Sequence, residues 1–233
     1  MGNTVRANTN IALIKYWGKE NEDLKIPSNP SLSLTLDNLY TETNVVYSNE
    51  LNEDVFYLDG EKQSGKSLKR VQSFMDVVRE RYGLKDYAII RSYNHVPSAA
   101  GLASSASAFA ALAKASTLAL NLDDEELSRL ARLGSGSASR SIYGGFVQWH
   151  KGNSHETSFA KPLENSDWPE LRMVVCLLNE KEKLFSSSDA MRETSNDSVY
   201  FDAWVEQSHK DIEKAVDYIY AKDLDNLGLL VQS

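Results

Sequence analysis

The spacing of apolar side chains changes period several times along the chain, and each change marks an element. Residues 4–15 carry little charge and end in Ile11-Ala12-Leu13-Ile14, an extended segment expected to enter a turn or short helix. Residues 20–30 are polar and hold Pro27 and Pro30, which predicts a loop. Ser31-Leu32-Ser33-Leu34-Thr35-Leu36 then alternates with period two, as a strand with one buried face does, and Thr43 to Tyr47 and Val55 to Leu58 predict two further strands before a turn at Asp59-Gly60. From Lys66 to Tyr82 the period becomes helical. Leu68, Val71, Met75, Val78 and Tyr82 share one face, and Gly83 ends the helix. Tyr87 to Ser92 returns to a strand, and Phe109 to Leu120, rich in Ala and Leu, predicts a helix. That helix should be buried, because with His95 neutral the only formal charge between Arg91 and Asp123 is on Lys114. Asp123-Asp124-Glu125-Glu126 opens another helix with its acids in the first turn, where the helix dipole favours them, and Gly134 stops it.

Ile142 to Trp149 reads as strand, and residues 151–169, polar with Pro162 and Pro169, as a loop. This loop is the expected domain boundary, dividing the chain into residues 1–165 and 166–233. Beyond it, Met173 to Leu178 predicts a buried strand, and Ser186-Ser187-Ser188-Asp189 caps a helix start. Phe201 to Ala221 forms a long amphipathic helix with Trp204, Ser208, Ile212, Ala215 and Ile219 on one face, and a last helix starts at Leu224. Because that helix reaches Ser233 on an apolar run with neither a cap nor a charged tail, the sequence is expected to be part of a longer protein.

Composition narrows the function classes. The 233 residues are 42% hydrophobic and 25% charged, a globular balance sufficient for one large or two modest domains. A net charge of −8 argues against nonspecific nucleic-acid binding and requires any anion site to concentrate its cations locally. The single cysteine, Cys176, cannot form an internal disulfide, which fits a reducing cytoplasm, and its apolar setting predicts a core position. The sequence shows no membrane-length apolar stretch and no signal peptide. Its four histidines are scattered without metal-ligand spacing.

Three stretches carry candidate chemistry. Pro97 to Ala108 is built almost wholly of small residues ahead of a helix. Such a stretch lets a bulky anion approach the unpaired N–H groups of a helix start, and Ser104, Ser105 and Ser107 add hydroxyls for phosphate or Mg²⁺. It is neither a Walker A loop nor a dinucleotide fingerprint, and close packing of small residues with serine caps would produce the same composition. Lys15-Tyr16-Trp17-Gly18-Lys19 sets two cations around two aromatics, as an anion site or a solvated turn with an aromatic plug would. Gly134-Ser135-Gly136-Ser137-Ala138-Ser139-Arg140-Ser141 keeps one arginine between ordered elements, which favours bidentate anion contact over a plain linker.

Together these motifs resemble the mevalonate diphosphate decarboxylases, within the wider GHMP kinase superfamily. Asn10 to Lys19 resembles the family's N-terminal signature, Pro97 to Ser107 its phosphate loop and Gly134 to Ser141 its substrate loop. The resemblance implies an α/β (α+β) two-part fold: a ribosomal-protein-S5-like N-terminal half and an α+β C-terminal half, the latter incomplete here. It implies a cytoplasmic homodimer that uses ATP and Mg²⁺ to phosphorylate the 3-hydroxyl of mevalonate 5-diphosphate. Loss of that phosphate and of CO₂ then gives isopentenyl diphosphate. Carried over by position, Lys15 lies near the transferred phosphoryl group and Arg140 holds the substrate carboxylate, while Tyr16, Lys19, Ser135, Ser137 and Ser187 hold the diphosphate. Ser92 and Asn94 line the nucleotide pocket; Ala99, Ala100, Gly101, Leu102, Ala103, Ser104, Ser105 and Ser107 wrap the ATP phosphates, with Ser105 near Mg²⁺. No nucleic acid or membrane partner is implied. Two departures stand out. Ser188 occupies a position where many bacterial members carry Arg, which leaves a monophosphate substrate open, and the family's Asp-Ala-Gly-Pro-Asn stretch with its catalytic Asp is not in this sequence. A related GHMP small-molecule kinase, a phosphomevalonate decarboxylase and a non-catalytic nucleotide-binding protein are the alternatives.

Overall fold

The computed structural model describes residues 3–96, 104–176 and 187–232. The first strand, β1 (Val5–Ile14), runs straight through the segment expected to end in a turn or helix, because it pairs antiparallel along nearly all its length. A small hairpin of β2 (Lys19–Asn21) and β3 (Ile26–Pro27) follows in the expected loop. Next comes β4 (Ser31–Ser48), one continuous 18-residue strand where the apolar pattern predicts two. The pattern lapses at Asp37-Asn38, where Asn38 takes a left-handed φ of 60° and β4 accommodates extra residues between the Asn8–Tyr40 and Asn10–Thr35 pairs. β1 bridges the bulge and keeps the two halves one strand.

β5 (Val55–Leu58) and β6 (Glu61–Lys62) lead into α1 (Gly65–Tyr82), which ends on left-handed Gly83 and returns the chain as β7 (Tyr87–Asn94), parallel to β5. α2 (Ser104–Ser116) precedes a 3₁₀ turn at Leu118–Leu120. α3 (Asp124–Gly134) starts on Asp123, whose side chain accepts the Glu126 N–H, and runs into a 3₁₀ helix at Gly136–Ile142. β8 (Phe146–His150) and β9 (Phe159–Pro162) complete the main sheet. β9 lies inside the predicted polar loop. Its Ala160 is buried while Lys161 pairs with Glu125 at the surface, an alternation too short to register by periodicity.

The sheet order is β6-β5-β7-β4-β8-β9, with β1 also on β4. The main core lies between this sheet and α1, α2 and α3, where Val45, Ala88 and Ile90 meet Val71, Phe74, Met75, Phe109 and Leu130. α2 is buried nearly all round, as its low charge predicts. At its edge, buried Asp54 accepts Arg79 at 3.0 and 2.7 Å and the Ala88 N–H at 2.8 Å, tying β5 to α1 and β7.

α4 (Ser187–Asp197), α5 (Phe201–Ala221) and α6 (Leu224–Gln232) follow. Ile212, Ala215 and Ile219 of α5 and Leu227 of α6 pack on Ile14, Leu32 and Phe146. Trp204, expected on the same buried face, is 39% exposed at the start of α5, before the helix reaches the sheet. The predicted strand over Met173 to Leu178 is corrected for its described part: residues 173–176 pair with no described strand, Val174 is 81% exposed and Cys176 is exposed rather than core. An apolar run becomes a buried strand only where a partner takes up its backbone N–H and C=O groups. None of the described helices is long and apolar enough to cross a membrane.

Candidate active site

Strand alternation sets the first wall of the site. Along β4, Leu32 faces the α5 layer, so Ser31 must point to the opposite side, under the 3₁₀ helix that carries Arg140. Arg140 is buried to 2% exposure. One terminal nitrogen donates to Ser31 Oγ and the other to Asn10 Oδ1 at 3.2 Å. The Asn10 amide in turn donates to Ser137 O at 3.1 Å and Ser141 Oγ at 2.7 Å, locking the turn that presents the arginine. The guanidinium lies 6.0 Å from the centre of the Tyr16 ring and 5.9 Å from that of Trp149, and these two rings meet edge to face at 4.9 Å. Gly136 makes the approach possible: a Cβ there would stand 2.9 Å from the Tyr16 hydroxyl and 3.0 Å from Trp149.

Arg140 has no carboxylate partner among the described residues, and its Nε–H is buried without an acceptor. Burial pushes its pKa down to about 10, weakly opposed by Tyr16. Burial likewise raises Tyr16, opposed by Arg140 and Arg70. An arginine kept buried, charged and incompletely bonded is poised for an anion.

A line of hydroxyls leaves this centre. Ser137 Oγ lies 3.4 Å from Ser135 Oγ, which lies 3.2 Å from Ser105 Oγ at the start of α2. Ser105 opens on a cavity of about 590 Å³ whose walls include Ser92, Asn94, Ser104, Lys66 and Arg70. Ser92 is held by Thr43 at 2.8 Å and Asn94 by Thr41 at 3.2 Å, both across β4 and β7. The loop before α2, with Ala99, Ala100, Gly101, Leu102 and Ala103, lies outside the described residues, as does the side chain of Ser187.

The model of the diphosphomevalonate decarboxylase-like N-terminal domain matches residues 7–160, two-thirds of the chain, and takes in the Arg140 turn, the hydroxyl line and the cavity wall. The chain belongs to the diphosphomevalonate decarboxylase family. The diphosphomevalonate decarboxylase of Saccharomyces cerevisiae is 36% identical over 221 residues, which cover 87% of this chain and 56% of that protein. The chain thus spans about half the length of the curated relatives it matches. The crystal structure of the Staphylococcus aureus mevalonate diphosphate decarboxylase superposes with a TM-score of 0.91 at 48% identity, over 98% of this chain and 70% of that one. MDDEF in complex with MVAPP, AMPPCP and magnesium superposes at 0.90 with 47% identity, over 98% and 71%.

The fold brings only some of the expected residues together. Tyr16, Ser135, Ser137 and Arg140 form one cluster, continuous through Ser105 with Ser92, Asn94 and Ser104. Ser107 is not on the cavity wall. It is fully buried, 2.8 Å from the Thr41 hydroxyl and donating to Ser104 O at 3.1 Å, so it braces α2 against β4. Lys15 is exposed and faces a second cavity, of about 450 Å³, beside Trp17 and Trp204. Lys19 pairs with Glu22 at 2.6 Å.

Asn10, Ser31, Trp149, Lys66 and Arg70 carry much of the geometry and were not among the sequence candidates. Asn10 sits in the N-terminal signature and Lys66 and Arg70 are one helical turn apart on α1, which are the signals that could have found them. Ser31 and Trp149 gave no such signal. Among the described residues no three His, Cys, Asp or Glu side chains gather as a metal cage.

Proposed function

We propose that this chain supplies the nucleotide- and substrate-binding machinery of an ATP-dependent decarboxylase that converts mevalonate 5-diphosphate to isopentenyl diphosphate. The carrying observation is Arg140: buried, with neither an acid partner nor an acceptor for its Nε–H among the described residues, and joined through Ser137, Ser135 and Ser105 to a nucleotide-sized cavity. Family membership and the ligands of the MDDEF complex support the same reading.

Hydroxide is a poor leaving group and phosphate a good one, so phosphorylating the tertiary hydroxyl prepares its departure. As that C–O bond breaks, cationic character develops at C3, and the adjacent carboxylate leaves as CO₂ with its bonding electrons filling the new double bond. In this reading Arg140 orients the carboxylate, and the rings of Tyr16 and Trp149 exclude water around it. Tyr16, Lys19, Ser135, Ser137 and Ser187 hold the diphosphate. Ser92, Asn94, Ser104 and the loop 97–103 hold the nucleotide, with Lys66 and Arg70 adding positive charge on the cavity wall. Lys15 serves the transferred phosphoryl group by turning inward from its exposed position. A hydroxyl and phosphate oxygens form a hard-oxygen donor set that fits Mg²⁺, and Ser105 stands where it would contribute the hydroxyl. Bound there, Mg²⁺ would neutralise phosphate charge. The family reading also makes the protein a cytoplasmic homodimer.

The test is release of ADP and of CO₂ from ATP and carboxyl-labelled mevalonate diphosphate. Equal amounts support the decarboxylase. ADP without CO₂ replaces it with a kinase, and nucleotide binding without either product, from a protein that carries the family's catalytic Asp, replaces it with a nucleotide-binding protein.

A further inference from the structure

Lys25 belongs to none of the roles above, yet it reaches the same loop. It sits between β2 and β3 in a left-handed conformation, φ 50°, which turns its side chain toward α3. Its ammonium donates to Leu133 O and, at 3.0 Å, to Gly134 O, the last carbonyls of α3 and the residue directly before Ser135. Arg70, from the nucleotide cavity, donates to the same Gly134 carbonyl at 3.3 Å. The preceding residue is fixed as well, since fully buried Arg132 donates to Leu24 O at 2.9 Å. A lysine could cap a helix C-terminus for stability alone. Here, however, it is largely buried beside two other cations, Arg70 and Lys19, the latter paired with Glu22 at 2.6 Å. Stability alone does not favour bringing Lys25 and Arg70 to one carbonyl, whereas a polyanion at that turn would make the arrangement favourable. Described carbonyls take two of the three ammonium donors, and the third has no acceptor among the described residues.

We propose that Lys25 is a specificity-determining residue for the diphosphate end of the substrate, adding a cation beside Ser135 and Lys19 that distinguishes a diphosphate from a monophosphate; this rests on the decarboxylase reading above. Burial, with Arg70 and Lys19 adding to it, lowers Lys25 to about 8, so a second phosphate drawn up to it should bring a proton with it.

The probes are inorganic pyrophosphate, inorganic phosphate and AMPPCP, titrated calorimetrically into the 233-residue chain. Lys25→Met should weaken pyrophosphate about tenfold, one charge-assisted contact, while phosphate and AMPPCP change by less than about threefold. Lys25→Arg, which keeps the charge, should restore most of that loss. At pH 8, wild type should take up more protons per pyrophosphate than Lys25→Arg, measured in two buffers of different ionisation enthalpy, and this comparison holds even if Lys25→Met fails to fold. An equal loss for all three probes would make Lys25 a structural cap and overturn the proposal, as would unchanged pyrophosphate binding or equal proton uptake. Wild type that binds no pyrophosphate would overturn the decarboxylase reading together with it.

Discussion

Replacing Arg140 with methionine separates a residue kept for the ligand from one kept for the fold. A guanidinium held near 10 instead of 12.5 is disfavoured in the folded protein by about 3 kcal/mol at neutral pH. Against this stand two hydrogen bonds, to Ser31 and Asn10, at about 1.5 kcal/mol each, the low end for a charged donor, and two ring contacts near the limit of about 6 Å at about 0.5 kcal/mol each. The two sides nearly cancel. Arg140→Met, which fills a similar apolar volume, should therefore change the free energy of unfolding by less than about 1.5 kcal/mol. Removing one member of a buried ion pair typically costs about 3–5 kcal/mol, but Arg140 has no such partner among the described residues. The ligand response should behave oppositely. A ligand at about 100 times its Kd stabilises the folded state by about 2.7 kcal/mol, or about 5–10 °C in Tm for a chain of this size. Urea unfolding followed by tryptophan fluorescence, and melts with and without mevalonate diphosphate, measure both quantities. The variant should unfold near the wild-type midpoint and lose most of the ligand-induced rise. A loss of 3 kcal/mol or more (on the scale for breaking a buried ion pair) with the ligand response intact would refute the reasoning and make Arg140 a structural residue.

Two further outcomes concern the support around the site. His155 accepts from Arg132 at 2.9 Å, and burial, together with the charges of Arg81 and Arg132, pushes it down to about 4. The unfolded chain binds this proton near pH 6.5 and the folded chain only near 4, so stability present above pH 6.5 is lost as the pH falls through that interval, by about 3 kcal/mol in total. Urea unfolding at pH 7 and 4.5 should show that loss in wild type, and His155→Asn should reduce it by about 2–3 kcal/mol; an identical pH dependence in both proteins would contradict the assignment. Gly134→Ala would set a Cβ 2.1 Å from the Phe109 ring, itself pinned between Arg70 and Phe74, so it should cost about 2–4 kcal/mol in urea unfolding. A cost below about 0.5 kcal/mol, ordinary for a surface site, would show that the ring is free to move.

The sequence by itself determined whatever depends on neighbours along the chain. The period-two run from Ser31 to Leu36, the helical face from Leu68 to Tyr82 and the capped start at Asp123 are local signals, and each element formed. The motifs around Tyr16, Ser105, Ser135 and Arg140 stood out for a related reason: small residues beside cations permit close approach of an anion, although close packing of small residues gives the same composition. Tertiary structure decided what depends on distant partners. Whether Ser31 to Ser48 is one strand or two was fixed by β1 lying across the bulge at Asn38. Residues 173–176 have an apolar pattern but pair with no described strand, so they form none and leave Cys176 exposed. Asn10, Ser31 and Trp149 enter the site only because β1, β4 and β8 meet beneath the Arg140 turn. Lys25 reaches Gly134 across 109 positions of sequence. No local pattern records such a contact, because burial and hydrogen-bond geometry exist only after the sheet has formed.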